Sequence, residues 1–171
     1  EGSVDGDFSV GGLAGRLTSH GIISNSYSEA EVSGNLRTGG LVGSIEAFED
    51  QPRPQIVNSY AEGNVNGESQ VGGLSGDNRG GQINTSHSTG VVSGTNAVGG
   101  LIGIVDGGSV TDTEASGEIS GDKDVGGLIG HNKQGDITNS FAEGDVSGSR
   151  FTGGLIGRHS NGKIQNSSAD G

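Results

Sequence analysis

A Gly-Gly pair followed by an aliphatic residue recurs along the whole chain at a nearly fixed interval. That interval restricts the chain to one kind of architecture. The pairs are Gly11-Gly12, Gly39-Gly40, Gly72-Gly73, Gly99-Gly100, Gly126-Gly127 and Gly153-Gly154, and the spacings are 28, 33, 27, 27 and 27 residues. A period of this length marks a repeat protein, in which each unit buries its apolar face only against its neighbours. The two long spacings have one origin. From the second Gly of each GLxG-type segment to the equivalent Ile or Val further along the unit is seven residues in four copies, eight in the first (Gly15 to Ile23) and thirteen in the second (Gly43 to Ile56). All length variation therefore falls in one connection, the insertion loop of residues 44–55. Such a place is a surface loop, with registered structure elsewhere.

A shorter period lies inside the unit. Within a copy an aliphatic residue recurs at every ninth position, as in Ile83, Val92 and Leu101, then Val110, Ile119 and Leu128. Gly stands two residues before nearly every such site. Gly, or on the Ile side Asn, Thr or Asp, stands two residues after it. Positions i−2, i and i+2 share one face of a strand. The aliphatic residue then points inward, and the flanking Gly and Asn leave room or turn the chain, since both tolerate positive φ. Three nine-residue sides make a triangular coil of 27 residues. Six coils at about 4.8 Å per step give a stack roughly 29 Å long. The expected fold is all-β: a single parallel β-helix (β-solenoid) domain over residues 1–171. Leu stacks on Leu, Ile on Ile and Val on Val. A small inward column runs through Ser28, Ala61, Ser88, Ala115, Ala142 and Ala169. Right-handed winding is the expectation for β-crossover connections. A helical reading fails on the density of Gly, which costs about 1 kcal/mol at each helical site.

Composition agrees with a thin core. The chain has 37 Gly, 28% hydrophobic residues and no Cys, Met or Trp. A compact globule of this length needs more apolar surface than that. The net charge of -12 repels nucleic acid and anionic membranes. It suits an extracellular protein, a high-salt habitat or weak surface Ca²⁺ association. No cofactor is expected, and no apolar run is long enough to span a membrane as a helix.

The segments Val98-Gly99-Gly100-Leu101-Ile102-Gly103 and Val125-Gly126-Gly127-Leu128-Ile129-Gly130 resemble the GLUG motif, named for Gly-Leu-hydrophobic-Gly. The stretch from Ile137 to Gly148 is similar to the rest of that repeat. Ala14 and Ser75 hold the hydrophobic position in copies one and three, which match less well. The resemblance implies secreted or surface proteins of bacteria or archaea, including adhesin-like proteins and stalk regions. It brings no catalytic residues. The nine-residue spacing also resembles calcium-binding RTX repeats, but those need Asp where this chain has Gly. The leucine-rich repeat pattern is missing.

In a stack of coils, a site must be sought along columns of equivalent positions. The Asn column (Asn25, Asn58, Asn139 and Asn166, with Thr85 and Asp112) reads as capping for backbone groups at a corner. An outward column, Tyr27, Tyr60, His87, Glu114, Phe141 and Ser168, offers aromatic rings that could meet sugar rings or another protein. The simpler reading is aromatic packing on a β-surface. Tyr27, Tyr60, His87, Phe141 and, in the insertion loop, Phe48 are the candidate ligand contacts. Glu29, Glu62, Glu143 and Asp170 form an acidic column two residues further on. His131 and His159 lie on adjacent coils and read as surface histidines rather than metal ligands. Asp122 and Asp124 form one isolated acid pair, a weak acid/base candidate with no companion nucleophile. Both termini fall at one phase of the repeat. From this the chain is expected to be an excerpt of a longer array, or a subunit that stacks end to end. The function expected is an extracellular structural or adhesive module: a spacer, stalk or filament-forming solenoid on the surface of a bacterium or archaeon. Its partners would be copies of itself or the rest of an array, with glycans or surface proteins as further partners. The alternative is a carbohydrate-binding or polysaccharide-active β-helix, which needs clustered charged residues on one face of neighbouring coils.

Overall fold

The computed structural model describes residues 2–171; Glu1, part of the overlap in repeat phase noted above, lies outside them. The chain forms four parallel sheets, each with one strand from every coil except that the fourth coil gives sheet A two short strands. Sheet A runs through Ser3–Gly11, Glu31–Gly39, Val65–Gly72, Val92–Ser93 with Asn96–Gly99, Ile119–Gly126 and Val146–Gly153. Sheet B runs through Ala14–Thr18, Val42–Glu46, Ser75–Arg79, Ile102–Val105, Ile129–Asn132 and Ile156–His159. Sheet C contains Ile22–Ser24 and its equivalents, and sheet D contains Tyr27–Ser28 and its equivalents. The result is the six-coil β-solenoid expected, with no helix among the described residues. The three nine-residue segments of each coil are nevertheless folded into four strands. The Leu column sits at the bend between sheets A and B, not at the centre of a flat side.

The register follows the repeat. Ile23 pairs with Ile56 and Ile56 with Ile83, while Val32 pairs with Val65 and Val65 with Val92. Two apolar clusters result. The larger contains Leu41, Leu74, Leu101 and Leu128, their followers Val42, Ile102 and Ile129, and the Ile side, and it reaches the small column at Ala61, Ala115 and Ala142. The smaller lies behind sheet A and joins Val65, Val71, Val92, Val98, Ile119 and Val125. Length variation falls at the connection from sheet B to sheet C. Sheet B extends through Glu46 and sheet C resumes at Gln55, so the loop proper is residues 47–54.

Two columns turn the backbone through positive φ, and neither uses Gly. One is the Asn column, where Asn25, Asn58, Thr85, Asp112, Asn139 and Asn166 have φ between 47° and 53°. Asn and Asp adopt this conformation more readily than most residues. The other is Ser9, Arg37, Gln70, Ala97, Asp124 and Phe151, with φ between 51° and 61°, and these residues share no chemical type.

Most of the glycines serve close approach instead. The Gly100 N–H donates to the Gly126 carbonyl at 3.2 Å, and the Gly73 N–H to the Gly100 carbonyl at 3.0 Å. A Cβ built on Gly100 would lie 2.0 Å from the Gly127 carbonyl and 2.9 Å from the Ala115 methyl. The Gly-Gly pair thus marks where one backbone rests on the next with the small column filling behind it. Gly100→Ala is expected to lower unfolding free energy by about 3 kcal/mol or more, at the severe end for single substitutions. Gly154→Ala, in the last coil, meets only the Ala169 methyl at 3.0 Å and should cost much less. Urea denaturation of the two variants tests the contrast.

Candidate functional site

The outer face of sheet D carries the aromatic column. Parallel pairing places Tyr27 beside Tyr60, Tyr60 beside His87, His87 beside Glu114 and Glu114 beside Phe141. The residue that follows each of these turns inward, and Ser28, Ala61, Ser88, Ala115 and Ala142 are buried. The rings of Tyr27 and Tyr60 stack with centroids 5.1 Å apart and planes 9° from parallel, and those of Tyr60 and His87 stack at 4.9 Å and 7°. This geometry decides what the column can bind. Stacking along the solenoid axis covers both faces of Tyr60, so a ligand meets its edge and hydroxyl. Open ring faces belong to the two ends of the three-ring ladder. Partial burial by its neighbours raises the Tyr60 hydroxyl above the usual tyrosine value, and the negative charges of Glu62 and Glu29 push the same way, as does Tyr27.

Phe48 is exposed in the insertion loop, at the corner between sheets B and C, and so stands apart from the sheet D column. The loop is tied down by its neighbours. The Ser19 hydroxyl accepts from the Phe48 N–H at 2.8 Å, Pro52 accepts from the His20 N–H at 3.0 Å, and Arg53 donates to the Gly80 carbonyl at 2.6 Å. Loop residues Phe48, Asp50 and Arg53 line a shallow groove with Arg79 and Asp106.

The Asn column does not cap backbone as expected. Its side chains bond one another from coil to coil: Asn58 Nδ2 donates to Asn25 Oδ1 at 2.6 Å, and Asn139 Nδ2 to Asp112 Oδ1 at 3.0 Å. Capping falls to the next residue, a hydroxyl column that is buried at Ser59, Ser86 and Ser140. Ser59, Ser86, Ser140 and Ser167 each donate to the carbonyl two residues back, at 2.8–2.9 Å. Ser59 Oγ also accepts the Ser26 N–H, Ser86 Oγ the Ser59 N–H, and Ser140 Oγ the Thr113 N–H. The recurrent Asn-Ser pair was the available signal for this column.

Two buried ionic groups went unread in the sequence. Asp77 lies between Arg79 at 2.7 Å and Arg37 at 3.4 Å. Burial pushes its carboxyl above the ordinary range despite both arginines. Asp124 pairs with Arg158 at 3.0 Å, so the Asp122–Asp124 acid pair is split: Asp124 is buried and neutralised while Asp122 faces solvent. His131 is buried rather than on the surface. A guanidinium only donates, so Arg158 gives a hydrogen bond to His131 Nδ1 at 3.0 Å, and the Nε2–H donates to Ser160 at 2.9 Å. Burial, then the Arg158 charge, lowers the His131 pKa from 6.5, against the opposing pull of Asp124 and Asp106. No group of three or more potential metal ligands forms among the described residues.

Fold and surface define a parallel β-solenoid repeat protein whose recurrent aliphatic and small positions face its own interior. The family model for the GLUG motif matches residues 6–33 and 121–147. Each match spans one full turn and ends in the same column, since Ser33 connects to Ser147 through Asn66, Ser93 and Ser120. Two stretches of the chain therefore match the GLUG motif, and both lie within the solenoid. A comparison with curated proteins found no match.

Two titrations check this description. In an alkaline ultraviolet titration, Tyr60 should ionise above the usual tyrosine pKa of about 10, and Tyr60→Phe should remove that late component. A histidine held below its unfolded pKa favours the folded state only while neutral. Its contribution is complete above about pH 6.5 and falls as pH drops through and below that value. The melting temperature should therefore decline between pH 7.5 and 5.5 (on the order of one to a few degrees), and His131→Gln should flatten the slope.

Proposed function

We propose that this chain is an extracellular structural or adhesive repeat module, serving as a spacer, stalk or filament-forming segment of a secreted or surface protein from a bacterium or archaeon. The observation that carries the reading is the division of labour between columns. Inward positions and the buried Ser column are committed to contact between coils. The outer column and the single long loop are exposed places where residue identity changes from copy to copy. This is the organisation of a scaffold that displays side chains along a rod. The GLUG motif adds the association with surface proteins. Glycans or surface proteins of another cell are the partners this reading gives the rod, with Tyr27, Phe141 and Phe48 as the exposed contacts.

A scaffold role also fits the fate of the acid pair. A polysaccharide-active solenoid requires carboxylates that face a common cleft, whereas the buried Asp124 is held by Arg158. Protease treatment of intact source cells tests the placement: peptides from this chain should be released without lysis, and recovery only from the lysed interior would contradict it. Binding of the purified protein to a glycan array should fall at least about fivefold on replacing Tyr27 and Tyr60 with Ala, if stacking of about 1 kcal/mol is lost. Unchanged binding would remove the column from the contact surface.

A further inference from the structure

We propose that the interruption of the aromatic column at Glu114 is a binding slot for a planar cation, the guanidinium group of an arginine side chain on a protein partner. Rings on consecutive coils of this column lie 4.9 and 5.1 Å apart and almost parallel. His87 and Phe141 are separated by two coils, and each pairs in register with Glu114 between them. Two strand spacings amount to about 9.6 Å, close to twice the distance between stacked rings. The interval between the two aromatic residues therefore has the height for one additional planar group. The residue at that level is a carboxylate instead of a ring. His87, Glu114 and Phe141 are all exposed, so the slot opens to solvent. One face of the three-ring ladder also ends here, because Tyr60 covers only one side of His87.

Charge selects the occupant. Glu114 supplies a carboxylate at the centre of the gap. Asp112 stands two residues before it on the same coil, and Glu143 two residues after Phe141 on the next, both exposed. A guanidinium is flat, stacks on aromatic faces and fits a carboxylate with two parallel hydrogen bonds. A lysine ammonium satisfies the charge but not the shape, and a neutral aromatic satisfies the shape but not the charge. Each neighbouring coil lacks one of the necessary parts. Tyr60 has its faces closed by stacking, and Ser168 follows Phe141 without a ring. The slot deepens the display reading by giving the outer column a partner chemistry, yet it rests on the column's own geometry.

The test is a solution NMR titration of the purified protein with N-acetyl-arginine methylamide and, separately, N-acetyl-lysine methylamide. The arginine probe should shift the amides of His87, Glu114 and Phe141 with a midpoint in the millimolar range. The lysine probe should bind at least about two- to fivefold more weakly, and Glu114→Gln and Phe141→Ser should each weaken the arginine probe by a similar factor. Glu114→Tyr completes the ladder. It should abolish the response at these positions while leaving amide dispersion elsewhere unchanged. Equal responses to the two probes, shifts centred on Glu29 and Glu62, or undiminished binding by Glu114→Tyr would each overturn the proposal. Failure of the slot leaves surface placement standing, and an intracellular location would leave the arginine selectivity intact.

Discussion

The structure depends on the seam where the Gly-Gly-Leu backbone of one coil rests on that of the next. Leu41 N–H donates to Leu74, Leu74 to Leu101, Leu101 to Leu128 and Leu128 to Leu155, at 2.8–3.0 Å. At the first Gly of each pair a Cβ would fall about 2.1–2.2 Å from the carbonyl three residues on. At the third Gly of the motif it would strike the sheet A backbone of the preceding coil. For Gly130 the closest atoms are Val98 N at 2.6 Å and Ala97 C at 2.7 Å. Backbone, not side chains, fills this corner. A chain with few large apolar residues can be dense there without a thick core, because hydrogen-bonded main chain packs as tightly as the side chains it replaces.

Fixed contact at the seam has consequences along the coil. It locks register, so equivalent residues lie one strand spacing apart, and ladders of like side chains become possible. The Asn amides, the Ser hydroxyls and the three aromatic rings are three such ladders on one coil corner. Contact between sheets A and B is offset by one coil. Ser9 meets Ser44, Arg37 meets Asp77 and Asp124 meets Arg158, in each case with the second residue on the following coil. These links stitch successive coils through side chains where the seam does so through backbone. Their chemistry varies from a hydroxyl pair to ion pairs, which fits a position whose geometry is fixed by the main chain and whose residue is free to change in matched pairs.

Much of this was legible in the sequence because the period itself encodes stacking. The coil number, the Leu, Ile and Val columns, the small inward column and the outward aromatic column all follow from counting by nine and by twenty-seven. The family resemblance at Val125–Gly130 lies within the matched residues 121–147, that at Val98–Gly103 lies outside the matches, and the first coil, read as a weaker copy because of Ala14, is matched over residues 6–33. Four strands per coil were not legible, since the bend at the Leu column depends on where the backbones touch. The second positive-φ column was invisible for a similar reason. Ser9, Arg37, Gln70, Ala97, Asp124 and Phe151 share a conformation just before a Val-Gly-Gly or Thr-Gly-Gly segment, not one preferred by their side chains. The burial of His131 and Asp124 escaped because it requires the one-coil offset between sheets A and B. A column read within one sheet does not reveal it. The slot proposed at Glu114 needed the ring stacking of Tyr27, Tyr60 and His87, whose spacing the sequence does not state.

Native-state hydrogen exchange reads the seam directly. If backbone contact between coils holds the structure together, the amides of Gly73, Leu74, Gly100, Leu101 and Leu128 should be among the slowest to exchange, opening only with global unfolding. Amides of the insertion loop around Glu49 and Asp50 should exchange early. Rapid exchange at the Gly-Gly-Leu amides, with protection confined to other strands, would contradict the account.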